Sequence, residues 1–173
     1  MPTSRLVYIA LGSNVGDRAA MLARAIEEMK RAGLRVLRRS SLYETEPVGG
    51  PPQPWFLNAV VEAETELTPQ RLLHALQEIE RAMGRQRSVA FGPRTLDLDI
   101  LFDGESVMRN GELEVPHPRL AQRRFVLAPL AELAPQLIHP VLHKTVAELL
   151  AETSDHAQVR LWNVENESAE RKG

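Results

Sequence analysis

The chain has 173 residues, a formal net charge of −2 and no cysteine. This length suits one domain with a sizeable core, the missing cysteine excludes disulfides and thiol chemistry, and the charge offers no basic field for nucleic acid. No apolar run is long enough to span a bilayer and the N-terminus lacks a signal-peptide pattern, so we expect a cytoplasmic protein that binds no membrane. We expect residues 1–164 to form one domain and residues 165–173 to be a disordered polar tail.

The first hundred residues predict strands and helices in the order βαββαβ. In chain order these are a strand over 5–11, a helix from Asp17 to Gly33, strands over 35–43 and 56–65, a helix from Thr68 to Gly84, and a strand that carries Asp97 and Asp99. Asp17 and Thr68 are of the residue types that cap helix N-termini, and Gly33 is of the type that ends helices. The order is typical of an α+β, ferredoxin-like core, an antiparallel sheet with both helices on one face.

Two carboxylates interrupt the last of these strands. Asp97 and Asp99 project from one side of the strand, because alternate residues of a strand point to the same face. The other side carries only apolar residues, Leu96, Leu98, Ile100 and Phe102. Adjacent anions are costly to bury unless a cation joins them, and oxygen-only ligands suit Mg²⁺ bound to substrate phosphates. The alternative is an exposed edge strand whose polar face is simply hydrated.

The preceding strand carries one polar residue on its otherwise apolar central run. Leu57, Ala59 and Val61 are expected to face the helices, which places Asn58 on the opposite face. If both strands turn their leucines towards the helices, Asn58 shares that face with Asp97 and Asp99, and the face opposite the helices is the active site. The alternative is that Asn58 only satisfies the backbone of a neighbouring loop.

Arginines flank the carboxylate pair. Arg85, Arg87 and Arg94 lie around residues 86–93, a segment bounded by Gly and Pro that is expected to be a mobile loop. Guanidinium groups bind phosphate oxygens and stay charged, so the arrangement suits transfer chemistry on a polyphosphate. A solvated helix end explains the same arginines equally well. His117, which stands between two prolines, is either a structural residue or a hydrogen-bond donor to a phosphate.

Five motifs in order resemble the 6-hydroxymethyl-7,8-dihydropterin pyrophosphokinase family of folate biosynthesis. They are Leu11-Gly12-Ser13-Asn14, Tyr43-x-Thr45-x-Pro47, Phe56-Leu57-Asn58, Gly92-Pro93-Arg94-Thr95-Leu96-Asp97-Leu98-Asp99-Ile100 and Val115-Pro116-His117. The resemblance implies transfer of the β,γ-diphosphate of ATP to the hydroxymethyl group of the pterin, with release of AMP. It also implies two Mg²⁺ ions held by the aspartate pair, and no obligatory protein partner is evident.

The resemblance assigns site residues by matching motif positions. The catalytic residues are Arg85, Arg94, Asp97 and Asp99, and the two aspartates are also the metal ligands. The ATP-binding residues are Gln77, Glu80, Arg87, Ile100, His117 and Arg123. The pterin-binding residues are Thr45, Val48, Phe56, Asn58 and Phe125, with the pterin ring stacked between the two phenylalanines.

Two other functions compete with this interpretation. A non-catalytic ferredoxin-like module that binds a nucleotide or RNA has the same element order, but an RNA-binding sheet exposes several aromatic side chains. An aromatic content of 5% and two carboxylates on the presumed active face suit RNA poorly. A degenerate pyrophosphokinase that binds without turnover is the second rival, and the intact aspartate pair argues against it.

Overall fold

The computed structural model of the protein describes residues 4–47, 52–83 and 96–163. In chain order its elements are β1 (Arg5–Ser13), α1 (Arg18–Arg31), β2 (Leu34–Arg39), β3 (Tyr43–Thr45), β4 (Phe56–Thr65), α2 (Pro69–Ala82), β5 (Asp97–Asp103), β6 (Met108–Arg109), β7 (Glu114–Val115), α3 (Arg124–Leu133), α4 (Val146–Glu152) and β8 (Val159–Leu161). A short 3₁₀ turn over Leu120–Gln122 precedes α3. None of the helices in these ranges is long and apolar enough to cross a membrane.

The main sheet has six antiparallel strands in the order β5-β1-β4-β3-β8, and β2 also pairs with β4. The predicted α+β class and the βαββαβ core are confirmed. The helix starts are confirmed too, since Asp17 accepts a hydrogen bond from the backbone N–H of Ala20 and Thr68 accepts one from Arg71. Gly33 follows the first helix with a φ of +108°, a conformation that glycine adopts without a Cβ clash.

The predicted strand over 35–43 is wrong in one respect, because it is two strands separated by Ser40–Leu42. Ser40 causes the break. Its backbone N–H donates to the carbonyl of Val60 at 2.9 Å, and its hydroxyl accepts from the backbone N–H of Val60 at 2.9 Å. The hydroxyl thus replaces a strand carbonyl, and β3 begins anew beside the Asn58 end of β4.

The first core lies between the sheet and the helices α1 and α2. It contains the alternate residues of β4 and β5 that were predicted to face the helices: Leu57, Ala59, Val61, Leu96, Leu98 and Ile100. The apolar stripes of the two helices meet them, through Leu22, Ile26, Met29, Leu72, Leu76 and Ile79. These residues are nearly inaccessible to solvent, so burial of apolar surface holds this layer together.

A second core covers part of the opposite face, which the sequence left open. Helices α3 and α4 place Val126, Leu127 and Val146 against the sheet there. Phe102 belongs to this core, so its predicted position under α1 and α2 is wrong. The reason is a bulge in β5: Tyr8 pairs with Phe102 but Ile9 pairs with Ile100, so one extra residue reverses the alternation.

Candidate active site

A cavity opens at the end of the sheet face that α3 leaves uncovered. It encloses about 490 Å³, including the space at its mouth. Residues of β1, β3, β4, β5 and the start of α3 line it: Ala10, Leu11, Gly12, Thr45, Glu46, Phe56, Asn58, Asp97, Asp99, Arg123, Phe125 and Val126. Convergent polar groups beside apolar and aromatic side chains are typical of a small-molecule site. It contains seven of the residues that the sequence assigned.

The floor of the cavity is a row of paired residues across three strands. Gly12 of β1 pairs with Asn58 of β4 on one side and with Asp97 of β5 on the other. Residues directly opposite in an antiparallel sheet point to the same face. The predicted shared face of Asn58 and Asp97 is therefore confirmed. Two strand spacings, roughly 10 Å, separate their backbones, and the residue between them has no side chain.

Position 12 requires glycine because the side chain of Asn58 lies very close to its backbone. A Cβ built on Gly12 would lie 2.5 Å from Oδ1 of Asn58, well inside van der Waals contact. The absence of a side chain at Gly12 therefore leaves room for the Asn58 amide oxygen over β1, where both residues line the cavity.

We expect Gly12→Ala to displace the Asn58 amide and to weaken pterin binding by about tenfold or more, since a lost hydrogen bond and a filled floor act together. Nucleotide binding should change little. Calorimetric titration with each ligand measures both effects. Gly111→Ala, at a glycine with nothing within 4 Å of an added Cβ, is the matched control. Equal affinity of Gly12→Ala and wild type for the pterin would contradict this reading of the floor.

Asn58 is held by a neighbour on β3. Its amide nitrogen donates to the hydroxyl of Thr45 at 2.6 Å, and both residues are buried. This contact leaves Oδ1 as the acceptor directed into the cavity. The alternative in which Asn58 only satisfies a loop backbone is not supported, because its amide bonds the side chain of Thr45, another assigned pterin residue.

The two phenylalanines line the same cavity from different elements. Phe56 begins β4, and Phe125 lies in the first turn of α3. Both are partly exposed. The guanidinium of Arg123 lies 5.5 Å from the centroid of the Phe125 ring, which is a cation–π distance. The cavity thus has an aromatic end, and the cation of Arg123 lines the same cavity as the two aspartates.

His117 lies beside the aspartate end of the site. Its Nδ1 accepts from the backbone N–H of Arg119 at 3.2 Å, so a neutral ring carries its proton on Nε2. Burial and then the neighbouring cations Arg123 and Arg119 lower the pKa of His117 to about 4. The charge of Asp97 acts in the opposite direction without overcoming them. At neutral pH the ring is therefore a neutral donor through Nε2, as the phosphate-donor alternative requires.

The lowered pKa of His117 makes stability pH-dependent. Unfolded histidine takes up a proton near pH 6.5 and folded His117 only near pH 4, so acidification between these values favours the unfolded chain. We expect the wild type to lose more Tm than His117→Gln between pH 6.5 and pH 4.5, in metal-free buffer. Thermal melts measure it. Parallel curves for the two proteins would show that His117 is protonated alike in both states.

Three assigned ATP-binding residues lie on the α2–β5 side. Glu80 is 5% exposed, and its carboxylate accepts from the backbone N–H of Leu98 at 3.0 Å, which secures the outer edge of β5. Gln77 is exposed one helical turn earlier on α2. The side chain of Ile100 lies in the core under the helices, so a nucleotide can reach only its main chain. The backbone N–H of Leu98 points away from β1, towards Glu80. Alternate residues of a strand direct their N–H and C=O groups to the same side, so those of Ile100 are also at the outer edge of β5.

Four assigned residues, Val48, Arg85, Arg87 and Arg94, lie outside the described residues, as does the predicted mobile loop over 86–93. Their roles stay predictions.

The sequence missed five cavity residues, Ala10, Leu11, Gly12, Glu46 and Val126. The first four lie inside or next to the quoted motifs, and the small residues Ala10 and Gly12 were visible only as strand or turn positions. Asn14 of the first motif has a different role. It donates to Gln53 at 2.8 Å and to the carbonyl of Pro54 at 2.9 Å, which anchors the segment that leads into Phe56.

The donor set of the cavity fits a magnesium ion. Asp97 and Asp99 are partly exposed, lie on one strand and line one cavity. Within residues 4–47, 52–83 and 96–163 no cluster of three or more acidic or imidazole side chains forms a complete protein-only metal site. Mg²⁺ commonly takes one or two carboxylates and completes its shell with phosphate oxygens and water, so two aspartates are sufficient.

Comparison with known proteins identifies the family of this chain. The family model of 7,8-dihydro-6-hydroxymethylpterin-pyrophosphokinase (HPPK) matches residues 8–135. A 2-amino-4-hydroxy-6-hydroxymethyldihydropteridine pyrophosphokinase from Bacillus subtilis is 44% identical over 160 residues, 92% of this chain and 91% of the relative. One from Methylorubrum extorquens is 47% identical over 145 residues, 83% of this chain and 90% of the relative. The chain belongs to the HPPK family.

Longer relatives contain a region similar to this chain. Folic acid synthesis protein fol1 of Pneumocystis carinii is 43% identical over 150 residues, and the match spans 87% of this chain but 20% of that protein. Among solved structures, a crystal structure of Plasmodium falciparum HPPK-DHPS superposes with a TM-score of 0.72 at 16% identity, over 88% of this chain and 46% of that one. This likeness confirms the fold.

Proposed function

We propose that the chain transfers the β,γ-diphosphate of ATP to the hydroxymethyl oxygen of 6-hydroxymethyl-7,8-dihydropterin, with two Mg²⁺ ions bound by Asp97 and Asp99. Family membership makes the chain a pterin pyrophosphokinase of folate biosynthesis with ATP as co-substrate. The metal ions and the residue roles are the proposal. The single observation that supports them best is the cavity itself, which joins an aromatic end and an amide to a carboxylate pair.

The pterin is proposed to occupy the aromatic end of the cavity. A flat heterocycle stacks well on the rings of Phe56 and Phe125. The amide oxygen of Asn58 accepts from an N–H on the edge of the pterin, and its orientation is set by Thr45. This placement directs the hydroxymethyl group along the cavity floor, over Gly12 and towards Asp97.

The triphosphate is proposed to lie at the aspartate end. Bound Mg²⁺ neutralises phosphate charge and orients the reacting group. Arg123 lines the cavity, and His117 lies close enough to Asp97 to interact with its charge, so both are proposed as donors to the phosphates together with Arg85, Arg87 and Arg94. These groups stabilise negative charge on the transferred diphosphate.

The reaction requires alignment rather than a protein nucleophile. The hydroxymethyl oxygen attacks the β-phosphorus, the bond from this phosphorus to the bridging oxygen of AMP breaks, and the hydroxyl proton is released. Holding both substrates in one cavity makes this step effectively intramolecular. The alternative of a non-catalytic nucleotide- or RNA-binding module is not favoured, because its sheet face would present aromatic residues in place of the carboxylates.

The decisive test is the nature of the nucleotide product. The purified protein is incubated with Mg-ATP and 6-hydroxymethyl-7,8-dihydropterin, and nucleotides are separated by chromatography. AMP and the pterin diphosphate are expected in equal amounts, and no AMP is expected without pterin or with excess EDTA. ADP would indicate a different kinase, and absence of any product would favour a binding module. We propose the cytoplasm as the compartment.

A further inference from the structure

Residues 153–162, called here the C-terminal segment, contact both walls of the pterin end of the cavity. They lie beyond residues 8–135, the part that the family model matches. One wall is β3, which carries Thr45, and the other is the start of α3, which carries Arg123 and Phe125. No residue of the segment lines the cavity itself.

Asp155, which is remote from α3 in the sequence, caps the N-terminus of this helix. The residue at the cap position, Arg123, makes no side-chain capping bond. Instead the backbone N–H of Arg124 donates to Oδ2 of Asp155 at 2.7 Å. The second oxygen, Oδ1, accepts from the backbone N–H of Ala157 at 3.0 Å. A carboxylate at a helix N-terminus satisfies a backbone donor and interacts favourably with the helix dipole. The bonded residue, Arg124, lies between the cavity residues Arg123 and Phe125.

The strand β8 then pairs with β3. Val159 lies opposite Thr45, and the backbone contacts continue beyond the strand. The backbone N–H of Glu46 donates to the carbonyl of Gln158 at 3.2 Å, and the carboxylate of Glu46 accepts from the backbone N–H of Gln158 at 2.8 Å. Without β8, the three-residue strand β3 would be an unprotected edge, because its other side already pairs with β4.

An ion pair reinforces this strand pairing. The guanidinium of Arg160 bonds the buried carboxylate of Glu44, next to Thr45, and stacks 4.8 Å from the centroid of the Trp55 ring. Arg18 at the start of α1 bonds the same carboxylate at 2.8 Å. Burial alone raises the pKa of the Glu44 carboxyl, but the hydrogen bonds from Arg160 and Arg18 outweigh burial and hold it below its usual value. Glu44 is therefore a charged, fixed point beside the cavity.

We propose that the C-terminal segment is a positioning element for pterin binding, with Asp155 and Arg160 as its positioning residues. Asp155 orients the first turn of α3, and hence Phe125, while Arg160 and β8 hold Thr45 against Asn58. Neither residue touches the substrate. The inference rests on the proposed function, because it takes the pterin as the ligand of this end of the cavity.

The test compares the affinities for the two substrates. Pterin binding to Asp155→Ala and Arg160→Ala is titrated at saturating Mg²⁺ and α,β-methylene-ATP, an analogue that lacks the cleavable bridging oxygen. We expect each variant to bind the pterin about five- to tenfold more weakly, the effect of losing one charge-assisted bond. Affinity for the nucleotide analogue should change less than about twofold, and Asp155→Asn, which keeps one acceptor oxygen, should recover part of the loss.

Two control variants remove similar bonds far from the cavity. Thr68→Ala removes the N-terminal cap of α2, and Arg35→Ala removes an exposed strand arginine paired with Glu64. Both should bind pterin as the wild type does. Wild-type pterin affinity in either Asp155→Ala or Arg160→Ala, or an equal loss for both ligands, overturns the inference. Absence of AMP from the wild type would instead overturn the proposed function.

Discussion

Asp97→Ala and Asp99→Ala should each lower kcat by about 10²–10³-fold or more while the protein stays folded. Both carboxylates lie on the cavity face of β5 and not in either apolar core. Removal of one takes away a metal ligand and the electrostatic stabilisation that depends on it. The fold should not suffer, because two like charges on one strand face repel each other. AMP formation at saturating Mg²⁺ and thermal melts in EDTA measure the two effects.

Asp103 provides a matched control on the same strand. It is fully buried and bonded by the guanidinium of Arg5, so its charge serves the fold. Asp103→Ala should destabilise the protein by roughly 1.5–3 kcal/mol, the effect of losing a hydrogen bond to a charged group, and should leave the activity of the folded fraction near that of the wild type. Near-normal turnover by Asp97→Ala or Asp99→Ala would refute the metal assignment.

Phe56→Ala and Phe125→Ala should weaken pterin binding by about tenfold each and leave Mg-ATP binding nearly unchanged. Each aromatic contact contributes about 0.5–1.5 kcal/mol beyond the burial of its area, and truncation removes both contributions. Neither ring belongs to the fully buried core residues, so the shift in Tm should be modest. Calorimetric titrations of both ligands, with thermal melts of the same samples, are the measurement.

Phe102→Ala is the contrasting variant. Its ring is 1% exposed and packs edge-on against Tyr8 and His139, so truncation should cost about 3–5 kcal/mol of unfolding free energy. Whatever ligand binding it loses should be lost equally for pterin and nucleotide. If Phe56→Ala or Phe125→Ala shows this pattern, its ring supports the core and the pterin lies elsewhere.

Alternation along single strands determined much of the site before any tertiary contact was known. In β4 the change from Leu57 to Asn58 separates the helix face from the cavity face, and in β5 the change from Asp97 to Leu98 does the same. These assignments hold because the side-chain period of a strand is fixed by backbone geometry and the helices select the apolar side. The helix starts at Asp17 and Thr68 could also be predicted from local sequence, since a capping bond joins residues only three positions apart.

The prediction from alternation was wrong at the point where β5 contains one extra residue. Phe102 belongs to the alternation of its neighbours in sequence, yet it packs with Tyr8 on the other face. A bulge depends on the register with β1, which is a contact between residues far apart in the chain. The break at Ser40 has a similar origin, because its hydroxyl replaces a carbonyl only when Val60 lies beside it.

The chain beyond β5 shows the limit of local patterns most clearly. Helices α3 and α4 and the strand β8 were not predicted, and α3 has no side-chain cap of its own at Arg123. Its cap comes from Asp155, and the partner of β8 is a strand of three residues more than a hundred positions earlier. Local alternation was sufficient to predict which residues of β4 and β5 face away from α1 and α2. Only the tertiary structure determined how α3 and β3 complete the cavity around them, because these elements are held by contacts between distant residues.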